Sequence, residues 1–484
     1  MKQQPDGSSV DENCVEVRNI PAYQWNWAWN DLDCRKMRYF VCEFTESVNQ
    51  ISTYSTPPTT CHDAVSVASG GVIRRVGGIC FLHRRRGWTT HYRKLKELRS
   101  CYNVVELVWI DLQPQITVKY GYRTETHKVE TYDGFFVVMH RIRGSPSKGP
   151  FDARKPPVLL MHGLLGSSGD WIMIGPKNAL PYLLADQGYD VWLGNARGNR
   201  YSGEHAYLTD DMREYWDFSW HEIGIYDVPT MVDHVLKTRK VKQLHYVGHS
   251  QGTTSFLVMT SMMPEYNKKI IKMHALAPAA YLYHLNNPAM RFLATHMITA
   301  TNIANAFGVN QLLPSNPLFH QLARVFCPNY FNFFRFCINS MFLISAGEYH
   351  SLDPNLIPVL AGHIPAGASA KQFIHYGQEV LSGHFRQFDY GPGNNTEIYQ
   401  AADPPDYNLT NVRAPVAIYY GLSDQLTHPE DVGRLAQELP NVVAMNQLPN
   451  ASFNHMDFLV AANVRSVLYE NIIASIIEDD RKRS

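Results

Sequence analysis

Ser250 stands between two glycines in the run LHYVGHSQGTTSFLVM, residues 244–259, and the spacing G-x-S-x-G raises the question of whether it is a nucleophile. A serine hydroxyl attacks a carbonyl only when a base takes its proton and a carboxylate holds that base in orientation. Both partner types occur downstream in the order serine, acid, histidine. Asp424 follows the apolar run APVAIYYG, and His455 lies in the loop of NVVAMNQLPNASFNHMDF, residues 441–458. Acyl transfer also needs N–H donors aimed at the developing oxyanion. Gln251, the residue after the nucleophile, supplies one backbone N–H. The glycine-rich turn His162-Gly163-Leu164 that ends PVLLM is the place for the second.

Each of these residues needs an element to carry it. QLHYV (243–247) is a short β-branched and aromatic run suited to a buried strand, and TTSFLVMTSMM spaces Phe256, Leu257, Met259 and Met263 as a helix does. Strand, sharp turn and helix make a nucleophile elbow, whose strained turn leaves no room for side chains at 248 and 252. PVLLM, APVAIYY and NVVAMNQ predict further strands, and FLVAANVRSVLYENII predicts a helix after His455. From Tyr281 to about Glu397 the strand signals thin out into a long insert. Its stretches MRFLATHMITATNIANAFGV and YFNFFRFCINSMFLIS are rich in Phe, Met, Leu and Ile. An insert between the nucleophile helix and the acid strand predicts a mainly helical cap whose apolar faces suit a lipid chain, although most of those aromatics are expected in the insert's own core.

Composition permits this reading. The 44 basic and 44 acidic residues cancel, which argues against a polyanionic partner for the chain as a whole. A chain of 484 residues, 45% hydrophobic, can bury a large core. No uninterrupted apolar run reaches the roughly 18 residues of a membrane span, so no transmembrane segment is expected. The 21 histidines would add much positive charge in an acidic compartment.

The segments HGLLGSSGDWI, GYDVWLGNARGNRYS, DFSWHEIGIYDVP, GHSQGTT, YYGLSDQLTHPEDV and NHMDFLVA resemble the acid lipase family, which includes lysosomal acid lipase, gastric lipase and insect lipase 3-like proteins. The likeness begins near ITVKYGYRTETHKVETYDGFFVVMHRI and runs to the C-terminus. It implies an α/β-hydrolase fold with a mostly parallel central sheet and an inserted cap. By matching motif it implies Ser250 as nucleophile, Asp424 and His455 as its partners, and Leu164 and Gln251 as backbone oxyanion donors. The implied substrates are neutral lipid esters at a lipid–water interface, triacylglycerols and in some members cholesteryl esters, with no cofactor. HIPAGASAKQFIHYGQEVLSGHFRQFDYG (363–391) resembles the family's cap segment. Cys327 and Cys337 resemble its disulfide, two free cysteines being the alternative. The sequons at Asn394, Asn408 and Asn450 fit glycosylation on a secretory route, and the resemblance implies a secreted or lysosomal protein. No signal peptide is read in MKQQPDGSSVDENC, which lacks an apolar stretch.

Residues 1–44 resemble the C-terminal half of a C-type lectin domain. Gln4-Pro5-Asp6 matches a galactose-type sugar motif, and Glu12, Asn30 and Asp31 match calcium-ligand positions, a set of oxygens that suits calcium. Half of that domain is missing, so neither a working metal site nor sugar binding is expected. Residues 45–111 read as a Ser/Thr/Pro linker followed by a basic, poorly ordered stretch, without any nucleic-acid module around it. Residues 112–484 are expected to form the hydrolase, with its cap at about 281–397. The function read from the sequence is a serine hydrolase of neutral lipid esters acting through an acyl-enzyme. Its alternatives are a carboxylesterase for soluble esters and a calcium-dependent sugar-binding protein.

Overall fold

The structure is a computed structural model. It describes residues 113–288, 290–292, 294–296, 311–312, 353, 356–449 and 452–483, and the backbone of short strands at 14–15, 31–32, 71–76, 79–84 and 87–88. The chain divides into two compact units, residues 1–106 and 107–484. In the first, Cys14–Val15 pairs antiparallel with Asp31–Leu32. Gly71–Val76, Ile79–Arg84 and Gly87–Trp88 form an antiparallel meander within the stretch read from sequence as poorly ordered. Glu12, Asn30, Cys327, Cys337 and Asn450 lie outside the described residues, and Asp31 is described only as backbone.

The second unit is built on nine strands: β1 (Thr124–Glu130), β2 (Phe135–Ile142), β3 (Val158–Met161), β4 (Val191–Gly194), β5 (Glu204–His205), β6 (Leu244–His249), β7 (Ile270–Leu276), β8 (Val416–Tyr420) and β9 (Val442–Gln447). From β4 through β3, β6, β7 and β8 to β9 every neighbour is parallel. Strand β2 pairs antiparallel with β1, β4 and β5. Strands β3, β4 and β6 are buried at every residue, which is why their sequences are apolar runs rather than alternations. Edge strand β9 alternates instead and leaves Val443 and Met445 half exposed. The arrangement is an α/β-hydrolase fold with a mostly parallel central sheet.

Helices α1 (Val228–Arg239), α2 (Gln251–Met262), α3 (Ala370–Ser382), α4 (Pro429–Glu438) and α5 (Glu470–Arg483) belong to this unit. Helix α2 is buried on all sides from Gln251 to Ser261, so it lacks the polar stripe of a surface helix. Between β7 and β8 the described residues include three helices, Ile357–His363, α3 and Pro392–Tyr399. The single helix expected after His455 is broken. Asp457–Val460 forms one turn, Ala461 is extended, and helical backbone resumes at Arg465. Phe458 to Ala461 and Val464 are all buried around this break.

The loop after β4 is anchored by a buried cation. Arg197 donates from Nε to Asp227 at 2.8 Å and from both terminal nitrogens to Asp133 at 2.5 and 2.9 Å, while its own backbone N–H reaches Asp227 at 2.9 Å. Its guanidinium carbon lies 4.2 Å from the centre of the Phe135 ring. Breaking such a pair leaves a carboxylate buried and uncompensated. Arg197→Met is therefore expected to lose about 3–5 kcal/mol of stability in urea unfolding; a loss under about 1 kcal/mol would mean that Asp227 is satisfied without it.

Candidate active site

Ser250 follows β6, Asp424 follows β8 and His455 follows β9, so the sheet delivers all three at the carboxyl ends of its strands. Strand pairing also aligns Met161, the last residue of β3, with Gly248. The glycine-rich loop and the serine turn thus leave the sheet side by side. Ser250 has φ 52° and ψ −119°, a backbone that a non-glycine residue holds only under constraint. Its N–H donates to Leu276 O at 3.0 Å, and its carbonyl accepts from Thr253 N at 2.8 Å and Thr253 Oγ1 at 2.5 Å. A Cβ at Gly252 would stand 2.2 Å from Met161 O, and one at Gly163 would stand 3.1 Å from the Ser250 Cβ. Glycine at those positions lets three backbones converge on the serine.

Asp424 and His455 meet in a buried pair. His455 Nδ1 lies 2.8 Å from Asp424 Oδ2, and that oxygen also accepts from Thr427 Oγ1 at 2.6 Å. Asp424 Oδ1 accepts from the N–H groups of Leu426 and Thr427, both at 2.9 Å. Burial pushes the Asp424 carboxyl up, but the charge of His455 and the bonds from His455 and Thr427 outweigh it and leave the group below its usual value. An ionised Asp424 only accepts, so Nδ1 carries the hydrogen and Nε2 is left as the basic nitrogen. The His455 loop is tied to the serine turn directly, because His249 Nε2 donates to His455 O at 2.9 Å. Asp403 and Asp406, two other acids of this region, are not at the site: Asp406 pairs with His384 at the surface and Asp403 is exposed.

The loop that carries Leu164 is held by buried polar groups. His162 Nε2 accepts from Ala196 N at 3.1 Å, so its Nδ1 bears the hydrogen and donates to Gly163 O at 2.8 Å. Asn195 Oδ1 accepts from Ser168 N at 2.9 Å, and the Ser167 side chain forms a capping box with Asp170. Among the described residues neither Leu164 N–H nor Gln251 N–H has an acceptor. Thr427 stands only three residues after Asp424, so its bonds are local; His162 and Asn195 reach Ala196 and Ser168 across 34 and 27 positions, and only the fold brings them to these atoms.

Several histidines around the site are buried and neutral, so the charge expected of them in acid is withheld. Burial pushes His140 down to about 3, His162 to about 4 and His249 to about 3. His140 Nδ1 sits 2.8 Å from Ser168 Oγ, one shell behind the glycine-rich loop. No described helix is long and apolar enough to cross a membrane.

Residues 113–175 match the family described as a partial alpha/beta-hydrolase lipase region, and residues 156–335 match the alpha/beta hydrolase fold. The chain is 43% identical to Lipase 1 of Drosophila melanogaster over 362 residues, 74% of this chain and 78% of that protein. It is 35% identical to gastric triacylglycerol lipase of Bos taurus over 405 residues, 83% of this chain and 98% of the relative. With Lipase member K of Homo sapiens the identity is 36% over 363 residues, 74% and 89% of the two chains.

A histidine with a lowered folded pKa takes its proton more readily in the unfolded chain, so it costs stability as pH falls from 6.5 toward its folded value. His140→Asn keeps a polar group beside Ser168 but cannot titrate. Relative to the unsubstituted protein it should gain about 1.4 kcal/mol for each pH unit below the ordinary histidine value, down to about pH 4. Urea titrations at pH 7, 6 and 5 measure this, and a pH-independent difference would show that His140 is not held neutral.

Proposed function

The chain belongs to the acid lipase family of α/β-hydrolases and is a carboxylic ester hydrolase, and we propose that it cleaves neutral lipid esters, triacylglycerols first, through an acyl-enzyme on Ser250. The observation that carries the proposal is the buried Asp424–His455 bond, tied through His249 to a serine held at positive φ. His455 Nε2 takes the Ser250 proton as Oγ bonds to the ester carbonyl carbon, and the carbonyl π pair moves onto oxygen. The N–H groups of Leu164 and Gln251 receive that oxyanion. When the carbonyl re-forms, the C–O bond to the alcohol breaks and His455 returns the proton to the leaving oxygen. Water then repeats the sequence on the acyl-serine, releasing a carboxylic acid and restoring Ser250. Asp424 holds the imidazole in orientation and stabilises its protonated form. Cholesteryl esters are a second substrate class within this reading.

The stretch 281–397 is proposed as a cap over Ser250, on the support of α3, whose Tyr376 hydroxyl lies 3.0 Å from Thr254 Oγ1 on the nucleophile helix. Asn394 and Asn408 are exposed, which suits them as glycosylation sites of a secreted or lysosomal protein; glycosylation at Asn450 and a Cys327–Cys337 disulfide belong to the same proposal. Among the described residues no three His, Cys, Asp or Glu gather as a metal site. The N-terminal segment is proposed as a lectin remnant without a role in hydrolysis.

Ser250→Ala removes the atom that carries the acyl group. It should abolish hydrolysis of both an emulsified triacylglycerol and a dissolved short-chain ester, by on the order of a millionfold in kcat, with an unchanged circular dichroism spectrum. Activity within tenfold of the unsubstituted enzyme would remove the serine from the mechanism. With the serine intact, the rate should rise as a short-chain ester passes its solubility limit; a smooth hyperbola through that limit would favour a soluble-ester carboxylesterase.

A further inference from the structure

The side chain of Gln251, whose backbone N–H is read above as an oxyanion donor, ends on another buried amide. Its Nε2 donates to Gln372 Oε1 at 2.7 Å, across 121 positions of sequence. Gln372 Nε2 lies 3.4 Å from Ser369 Oγ, and the Ser369 hydroxyl donates to Phe218 O at 2.5 Å. All three side chains are buried. The far end sets the direction of the whole relay. A backbone carbonyl can only accept, so the Ser369 hydroxyl must donate to it. Its lone pairs then face the NH2 of Gln372, which turns Gln372 Oε1 toward Gln251 and obliges Gln251 to present its own NH2.

Two further observations show local rules being set aside for this relay. Ser369-Ala370-Lys371-Gln372 opens α3 with serine and glutamine three apart, the pattern of a capping box. Ser369 is indeed the N-cap, with φ −69° and ψ 147°, yet its side chain makes no capping bond. The hydroxyl is spent on Phe218 instead. On the other side, Gln251 Oε1 is buried and has no partner among the described residues. An apolar side chain of similar size would avoid that penalty, so what the amide contributes here is its donor.

We propose that Gln372 is a positioning residue for ester hydrolysis: it holds the Gln251 side chain, and through it the first turn of α2, so that the Gln251 N–H stays aimed at the oxyanion. The proposal rests on the reading of Ser250 and of the Gln251 N–H given above. Ser250 and Gln251 share one peptide group, and the serine side of it is in a backbone conformation that relaxes if it is not held. A modest rotation of that peptide leaves the serine, histidine and aspartate close to their places, because strands β6, β8 and β9 carry them. It turns the N–H away from an oxygen that must lie within hydrogen-bond distance. Gln372 belongs to α3, in the stretch proposed as the cap, so the inserted helix is joined directly to the residue that carries the oxyanion donor. The resulting defect falls on the transition state rather than on ester binding.

The test compares Gln372→Met, Gln372→Glu, Ser369→Ala and Ser250→Ala in the full chain, on a dissolved short-chain ester and on inhibition by an alkyl boronic acid, which forms a tetrahedral adduct. Gln372→Met is expected to lower kcat about tenfold to thirtyfold with KM within about twofold, less than the 10²–10³ that outright loss of an oxyanion donor costs. Boronate inhibition should weaken by the same factor as kcat. At pH 5 the carboxyl that Gln372→Glu introduces is buried and protonated, so it still accepts from Gln251 and donates to Ser369, and this variant should recover to within about threefold of the unsubstituted enzyme. It should lose the recovery as pH rises to 8 and the carboxyl ionises. Should Gln372→Met fail to fold, Ser369→Ala removes the group that orients the Gln372 amide and should lower kcat about threefold to tenfold at constant KM. Unchanged kcat in the folded Gln372→Met variant or in Ser369→Ala, a loss confined to KM, or equal loss in Gln372→Met and Gln372→Glu at pH 5 each overturn the proposal. Because Ser250→Ala is measured alongside, an inactive serine variant with a fully active Gln372→Met removes the positioning role alone, whereas an active serine variant removes the underlying reading with it.

Discussion

The backbone at Ser250 is bent into a conformation it would leave if free, and much of the second unit serves to keep it there. The restraint begins with register: Met161 of β3 pairs with Gly248 of β6, which sets the glycine-rich loop beside the serine turn. It continues in the backbone bonds from Ser250 N–H to Leu276 O and from Thr253 N–H to Ser250 O, and in the absence of side chains at Gly163 and Gly252. A strained turn of this kind costs on the order of 1–3 kcal/mol and survives only where its surroundings over-determine it. In return Ser250 sits at the N-terminus of α2, where free N–H groups and the helix dipole favour negative charge.

Around that turn several buried polar groups pair with one another, and each pairing places a loop. Arg197 fastens the loop after β4 to Asp133 and Asp227. That loop presents the Ala196 N–H to His162, and His162 in turn holds the Gly163 carbonyl. Asp424 uses Leu426 and Thr427 to stay ionised against burial, and the ionised carboxylate fixes the His455 tautomer. Arg197 is thus joined through the Ala196 N–H and His162 to the glycine-rich loop, and polar networks of this kind couple their members.

The contact between α2 and α3 differs from the rest in its partners. The strands deliver Ser250, Asp424 and His455 to one end of a single sheet, whereas Gln372 arrives from the insert between β7 and β8. On the proposed mechanism, alignment draws on two sources, the sheet and an inserted helix. The second is joined by hydrogen bonds between side chains, Gln251 with Gln372 and Thr254 with Tyr376, rather than by backbone ladders.

What the sequence determined by itself was most of the strands and the chain order of the candidate residues. Apolar runs such as VLLM and LHYVGH have to be buried on both faces, which makes parallel strands, and G-x-S-x-G between a strand and a helix makes an elbow wherever it folds. Asp424 and His455 stood out as candidates because each follows a strand signal and the two stand in chain order with Ser250, and the structure brings the two side chains together. Single-residue signals stop there. His162, Asn195 and Gln372 are ordinary residue types whose local patterns point elsewhere, Ser369 and Gln372 even spelling a helix cap that does not form. Their roles depend on distances across tens to more than a hundred residues, and those distances exist only after the sheet has set its register and the loops have closed. The buried histidines make the same point about charge. Their number predicts a chain that gains protons in acid, but burial, which only the tertiary structure decides, keeps those nearest the site neutral.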